Sequence, residues 1–573
     1  MRVAGSYTDQ AGRVRTVPEE TVRRVEAAMG EPYDGPSPLV VTREGSAEAG
    51  GCPVGEYDLP GGRALLVAPR RCPLPPRTWG WAVQLYAVRS AASWGIGDLA
   101  DLARLARWSG ADEGAGFLLV NPLNAVAPGL PQEPSPYFPA SRRFANPLYL
   151  AVEDLPEVGL LAPAERDEVL ALGTSARTLN DSPLIDRDAV WRAKSSALET
   201  LFTATPRAAV EAYLETEGEA LDTFALWCAL AERHGPSYQE WPSSLRHPAN
   251  PAVRAARGEL RERIAYHAWL QWRCVEQLAE AQRCARESGM AVGVVHDLPV
   301  GCDPGGADAW AQQDAIAPGM TIGAPPDAFN PDGQDWRLPP WRPDALRRSG
   351  YAPYRDLVRA LLRDGGGIRV DHAMGLWRLF WVPEGCSPAD GTYVSYDADA
   401  LLGILAYECH AAGAVAVAED LGTVEPGVPE ALRDSGVLSS AVLWFEEGAP
   451  ESYPEQAFAS VTTHDLPTAR GFWSRPGNED DRARVLSLLR AAGLIGAEPS
   501  EDDLVVAMHA FVARSPALLA AVALGDAVGD PRQPNVPGDD TAPNWRIPLD
   551  VKLDDLPAHP LLRRVVEAVR QAR

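Results

Sequence analysis

The sequence is short of lysine and of positive charge in general. Lys194 and Lys552 are the only lysines among 573 residues, and no G-x-x-x-x-G-K-[ST] phosphate loop occurs. Schiff-base chemistry therefore has almost no candidate residue. Lys and Arg number 53 against 78 Asp and Glu, a net charge of −25. Such a balance disfavours nucleic-acid phosphate and anionic membrane surfaces, which leaves neutral or cationic small molecules as partners. The eight cysteines (52, 72, 228, 274, 284, 302, 386 and 409) form no C-x-x-C pair, and H-E-x-x-H or zinc-type spacing is missing too. They read as mostly buried, reduced thiols, and no metal site is expected. No run of eighteen apolar residues exists, so no membrane helix is expected. Residues 1–12 lack a basic-then-apolar leader, and the expected location is the cytoplasm. Repeats with a period of 20–50 residues are also missing.

What is present is a rhythm. Residues 1–76 read as a small N-terminal β-rich module. A short helix starts near Pro18, and β-like runs at Leu39–Val41 and Ala64–Val67 are separated by Gly and Pro. From 77 to 573, apolar runs of four to seven residues recur, many ending on a polar or charged residue. They are Trp81–Tyr86, Phe117–Asn121, Val292–Asp297, Ile368–Asp371, Val415–Glu419, Ala441–Phe445, Ala459–Asp465 and Leu518–Leu524. The last reads equally well as helix. Helix-period stretches such as Asp98–Ser109 and Ala398–Ala412 lie between most of them. Continuous apolar strands alternating with helices predict a parallel sheet covered on both faces, and eight runs predict an α/β fold of the (β/α)₈ TIM-barrel kind. Residues 155–290 break the rhythm and read as a helical inserted subdomain.

Three of the runs deliver carboxylates to what would be the C-terminal rim of the barrel: Arg369-Val370-Asp371-His372, Ala418-Glu419-Asp420 and Thr463-His464-Asp465. Residues two apart in a strand share a face, so Arg369 is expected to hold Asp371 ionised and lower its pKa, as a nucleophile requires. Glu419 follows four apolar residues, and desolvation is expected to raise it toward general-acid duty. One ionised and one protonated carboxyl is the pair retaining glycosidases use, set ~5–5.5 Å apart. A third acid, Asp465, suits binding of sugar hydroxyls and an oxocarbenium-like transition state. Taken one at a time, each acid has a plainer reading as a helix cap or salt-bridge partner.

Seventeen Trp against 11 Phe is an unusual ratio, and sugar rings stack on indole. The stretches 325–336 and 135–139 are too polar and Pro-rich for core. Both read as rim loops that offer aromatics and amides to a ligand, and the first, taken from Gly323, is the candidate lid against water. Gly95-Ile96-Gly97-Asp98-Leu99-Ala100 imitates a dinucleotide fingerprint, but the next strand ends in Asn121-Pro122 rather than in an acid.

With these residues in view, the chain resembles the 4-α-glucanotransferases, the amylomaltases or disproportionating enzymes of glycoside hydrolase family 77. The marks run in order from Trp79 to about Arg546. They include Trp94-Gly95-Ile96-Gly97-Asp98, Asn121-Pro122-Leu123, Ser135-Pro136-Tyr137, Asp303-Pro304-Gly305-Gly306-Ala307-Asp308, the three acid motifs, Asn535-Val536-Pro537-Gly538 and Asn544-Trp545-Arg546. The resemblance implies a barrel with helical insertions, no metal, no organic cofactor, and maltooligosaccharides or other 1,4-α-glucans as partners. It implies Asp371 as nucleophile, Glu419 as acid/base and Asp465 as transition-state stabiliser. Around the cleaved bond it implies Arg369 and His464 as sugar-binding residues. Tyr137, Ser135, Gln334, Trp336 and Asn535 match glucan-binding positions, and Asp420 a supporting or subsite position. One departure is Asn124, where the family pattern leads one to expect His. An α-glucan hydrolase of the α-amylase kind shares the chemistry, but calcium-type acidic loops are missing and the 323–336 stretch is family-specific. A non-catalytic glucan binder would not need all three acids.

Overall fold

The computed structural model describes residues 3–9, 12–327 and 330–573. Eight parallel strands form its centre: β1 (Thr78–Val83), β2 (Phe117–Val120), β3 (Gly293–Leu298), β4 (Gly367–Val370), β5 (Val415–Ala418), β6 (Ser439–Val442), β7 (Ala457–Ser460) and β8 (Leu519–Ala523). Each overlaps one of the apolar runs, though β1 starts three residues before its run and β6 and β7 two residues before theirs, and the last run is strand up to Ala523. They pair in chain order, and β8 returns to β1. The seam between β5 and β6 closes through a parallel bridge of Val417 with Leu438, whose carbonyl accepts from Ala418 N at 2.7 Å. This is a (β/α)₈ barrel.

Its interior is filled by side chains from strands across the axis. Phe117, Val295, Val417, Phe458 and Leu519 form one buried cluster, with the Phe117 and Phe458 rings 5.7 Å apart. Full burial of each such side chain contributes about 1.5–3 kcal/mol. Because successive residues alternate faces, the residue two beyond an inward core residue also points inward, one layer nearer the rim. Asp297 thus stands above Val295, and it is the register partner of Arg369 on β4.

Outside the barrel, the helix Leu99–Ala111 packs on the long helix Arg261–Glu287. The dinucleotide look-alike is a capped helix start. The Asp98 carboxylate accepts from Ala100 N and Asp101 N at 3.1 Å, and Asp101 answers to Asp98 N. Gly97 is needed for close approach, since a Cβ there would sit 2.0 Å from the Leu85 carbonyl oxygen. Between β2 and β3 lie six helices: Pro163–Ala176, Arg187–Thr203, Arg207–Glu217, Glu219–His234, Pro251–Glu259 and Arg261–Glu287. N-terminal to β1, a three-stranded sheet (Leu39–Arg43, Arg63–Ala68, Gly55–Leu59) shares a core with the helix Ala398–Ala412 through Leu39, Leu66, Leu401 and Leu405. All eight cysteines are free, and Cys52 and Cys386 alone are not fully buried.

One element differs from the sequence reading. The stretch 323–336 is not simply a loop. Met320–Ala324 and Gln334–Leu338 pair antiparallel in a four-stranded sheet with Arg378–Pro383 and Thr392–Ser395. The strand Gln334–Leu338 is short, half-exposed and polar on one side, so its alternation is diluted. Gln334, Trp336 and Leu338 share its inner face. Ala328 and Phe329, within the stretch read as the candidate lid, lie outside the described residues.

Candidate active site

The site is built at the C-terminal ends of β3, β4, β5 and the segment after β7. Arg369 is buried, and its Nη1 donates to both Asp297 oxygens, at 2.6 and 2.8 Å, and to Asp371 Oδ1 at 3.1 Å. Burial works against the guanidinium charge, but Asp297 and then Asp371 keep it protonated well above the ordinary arginine range. The Tyr137 hydroxyl donates to Asp297 Oδ2 at 2.5 Å. Asp297 was not singled out from the sequence, although its run ends in a carboxylate as three others do.

Asp371 follows β4 and is held by its backbone N–H to Leu298 O at 3.1 Å. Its carboxyl is pushed up to about 7, by burial first. Arg369 opposes the rise, and the charges of Asp297 and Glu419 add to it. The expectation of a lowered Asp371 is therefore corrected: Arg369 does favour the ionised form, but burial outweighs it, and Asp297, which holds the closer part of the guanidinium, adds to the rise. Glu419 follows β5. Its Oε2 accepts from His372 N at 3.0 Å and its Oε1 from Leu421 N at 2.9 Å. Burial raises its pKa, against Arg369 and those two amides. His372, held at a left-handed φ of 47°, meets the Trp336 ring in a T-shaped contact at a centroid distance of 5.1 Å. Trp336 Nε1 donates to Gln334 Oε1 at 3.1 Å, so these two side chains form one unit beside the acids.

The third acid is fixed from two sides. Asp465 Oδ2 pairs with His464 Nε2 at 3.3 Å, and Oδ1 accepts from Asn535 Nδ2 at 2.6 Å. Burial pushes Asp465 upward, but His464 and the Asn535 amide bring it below the ordinary carboxylate value. Burial pushes His464 downward, and the charge and hydrogen bond of Asp465 outweigh it, so the imidazole is raised. His464 also stacks on Tyr137, with centroids 4.8 Å apart and planes 25° from parallel. A solvent-open cavity runs under this ring of groups, lined among others by Asp297, Arg369, Glu419, His464, Ser440 and Ser460.

Two expected residues hydrogen-bond to backbone at the rim. Ser135 Oγ accepts from Tyr137 N at 3.3 Å, which shapes the turn that presents Tyr137. Asp420 Oδ1 accepts from Ser440 N at 2.7 Å and ties the rim of β5 to β6. Asn124 Nδ2 donates to Arg142 O at 2.7 Å. Among the described residues, no group of three or more His, Cys, Asp or Glu side chains is placed to hold a metal ion, and no helix is long and apolar enough to cross a membrane.

A (β/α)₈ barrel with three carboxylates, a buried arginine and stacked aromatics at its C-terminal rim defines a class of carbohydrate-active enzyme. Comparison makes the class specific. The family model for 4-alpha-glucanotransferase matches residues 83–553. A curated 4-alpha-glucanotransferase from Mycobacterium tuberculosis is 46% identical over 565 residues, covering 89% of this chain and 78% of that protein. The crystal structure of amylomaltase from Corynebacterium glutamicum superposes with a TM-score of 0.87 at 33% identity, covering 99% of this chain and 98% of that one. An amylomaltase from Streptococcus agalactiae shares the fold, with a TM-score of 0.73 at 19% identity over 87% of this chain and 99% of that one. The chain belongs to the 4-alpha-glucanotransferase family, glycoside hydrolase family 77, and is an enzyme that transfers glucan segments.

Proposed function

We propose that the enzyme moves a segment of a 1,4-α-glucan to the 4-OH of glucose or of another 1,4-α-glucan, by a retaining double displacement through a covalent glucosyl–Asp371. The observation that supports this most is the pairing of two carboxyls on adjacent strand ends. Asp371 follows β4 and Glu419 follows β5, with Glu419 tied to the backbone of His372, the next residue after Asp371.

In the first step an Asp371 oxygen attacks the anomeric carbon. The bond to the leaving glucan oxygen breaks, and Glu419 gives that oxygen its proton. In the second step Glu419, now a base, takes the proton of the acceptor 4-OH. The acceptor oxygen attacks the same carbon, the ester bond to Asp371 breaks, and configuration is retained. Burial suits Glu419 to begin protonated. Arg369 is the cation that favours ionised Asp371, while Asp465, lowered by its partners, stays anionic beside the positive charge that develops on the sugar.

Arg369, His464 and Tyr137 hold the sugar being transferred. Trp336 and Gln334 face a neighbouring sugar, with Asn535, Asp420 and Ser135 in support. Maltooligosaccharides and longer 1,4-α-glucans are the partners, and the enzyme works in the cytoplasm without membrane or nucleic-acid contact. Residues 1–76 act as an N-terminal module on a catalytic barrel of 77–573, with 155–290 inserted.

The test is incubation with maltotriose, following free glucose, chain length and total reducing ends together. Longer maltodextrins and free glucose at constant reducing ends are expected. Rising reducing ends without longer products would make it a hydrolase. For the covalent step, Glu419→Gln given an α-maltosyl fluoride donor is expected to accumulate a glycosylated Asp371 peptide, read by mass spectrometry. A reactive variant with no such adduct removes the intermediate.

A further inference from the structure

Trp545 lies outside every role assigned above. It is buried, at 6% exposed, against two rings of the site. Its ring meets Tyr137 at 5.3 Å and His464 at 5.4 Å, tilted 42° and 49°, while those two rings stack on each other at 4.8 Å. Three rings are thus in mutual contact, and two of them carry hydrogen-bonding groups of the site. The Tyr137 hydroxyl reaches Asp297, and the His464 imidazole reaches Asp465.

The backbone at Trp545 is in the left-handed region, at φ 61°. A bulky residue keeps that conformation only where its surroundings over-determine it. Here they do. Trp545 N–H donates to Pro534 O at 2.9 Å, Val536 N–H to Asn544 Oδ1 at 2.9 Å, and Ile185 N–H, from outside the segment, to Arg546 O at 2.8 Å. The same segment carries Asn535, which grips Asp465, and Gln533, whose Nε2 donates to Asp465 O at 2.9 Å. One loop therefore presses on the His464–Asp465 dipeptide twice, by amides on the acid and by an indole against the imidazole.

We propose that Trp545 is a positioning residue for the transfer reaction. Its ring fixes the plane of the His464 imidazole, and through it the Asp465 carboxylate, while it backs the Tyr137 ring that holds Asp297. The inference rests on the reading of His464 and Asp465 as part of the site. A group that only positions others acts on the geometry reached in the transition state, so its loss lowers kcat and leaves KM nearly alone.

The experiment compares Trp545→Ala, Trp545→Leu and Trp545→Phe with the unaltered chain and with Asp465→Ala, reading kcat and KM for maltotriose disproportionation and the Tm of each. Trp545→Ala and Trp545→Leu are expected to lower kcat by about 100-fold, as for a misplacement of about 1 Å, at a KM changed by no more than about twofold. Trp545→Phe restores most of the loss, because it returns a ring. If Trp545→Ala does not fold, the comparison of Leu with Phe decides, since leucine fills volume without a ring. Equal kcat in Leu and Phe, or a raised KM at unchanged kcat, overturns the proposal. Full transfer by Asp465→Ala overturns the site reading and this inference with it. Loss in Asp465→Ala without loss in Trp545→Leu overturns this inference alone.

Discussion

Arg369 lies closer to Asp297, at 2.6 and 2.8 Å, than to Asp371, at 3.1 Å. One guanidinium thus serves two carboxylates on adjacent strands, and the one not assigned to the chemistry has the shorter bonds. Asp297 restrains Arg369 and Tyr137, but its charge also adds to the rise of Asp371. Replacing it therefore has two effects of opposite kind. Asp297→Asn removes a negative neighbour, so Asp371 ionises at lower pH and the acid limb of kcat/KM moves down. The same change loosens Arg369 and Tyr137, and kcat at the optimum is expected to fall by about 10- to 100-fold. A pH–rate profile of the variant checks both. An acid limb that stays in place or moves up contradicts the assignment.

Asp371 is costly to the fold in its ionised form. Its native pKa of about 7 stands above the ordinary aspartate value of 3.8, mainly through burial. The folded state then binds more protons than the unfolded chain between those values. Stability from this group is full below the unfolded pKa and is lost as pH rises through about 7. Asp371→Asn carries no such penalty. It is expected to abolish transfer while raising Tm by about 1–3 °C at pH 8, with a smaller gain at pH 5. Thermal unfolding at the two pH values measures the sign.

The barrel was legible because parallel strands buried on both faces leave continuous apolar runs, and each of the eight strands overlaps one, with starts up to three residues apart at β1, β6 and β7. The acids were legible because a charge at the end of such a run needs a partner or a use. The pairing of Arg369 with Asp297 was not, since register between β3 and β4 decides it and spacing along one strand says nothing of the neighbouring strand. The strand Gln334–Leu338 was hidden by its polar, half-exposed face. Trp545 was visible as a family mark, but its place against Tyr137 and His464 depends on contacts some 400 and 80 residues away in the chain.

Glu419 separates two kinds of donor. Its carboxyl is raised by burial and holds the amides of His372 and Leu421. Glu419→Gln keeps a similar shape but carries no titrating proton. With maltotriose as donor, transfer is expected to fall by at least about 10²–10⁴-fold, the usual worth of general acid–base catalysis. With α-maltosyl fluoride the first step needs no acid, so a burst of fluoride should be retained while turnover is lost. Equal losses on both donors would mean that Glu419 does not act as the acid.

Trp336 and His372 meet edge to face at 5.1 Å, and His372 N–H holds Glu419. Loss of the indole should weaken sugar stacking first. Trp336→Ala is expected to raise KM for maltotriose by about 10-fold, which corresponds to about 1.4 kcal/mol, with a smaller fall in kcat. Steady-state kinetics separate the two terms.

The ion pair of His464 and Asp465 gives the most direct electrostatic test. Burial alone would push the imidazole below its ordinary pKa of 6.5, and the charge and hydrogen bond of Asp465 reverse that direction. Taking away the carboxylate charge therefore lowers the His464 pKa, because burial and the Arg369 charge are left with only Asp297 to oppose them. Asp465→Asn is expected to do so, as followed by the imidazole resonances in an NMR pH titration. The same variant should lose about 10²–10³ in kcat if the carboxylate stabilises developing charge on the sugar. Stability follows the same sign. His464 in the unaltered protein contributes stability that is full below 6.5 and fades as pH rises through its raised pKa. Asp465→Asn should remove that alkaline loss together with the activity. If the titration midpoint of His464 does not fall, the pair at 3.3 Å is not what raises the imidazole, and the fixed anion at this position loses its support.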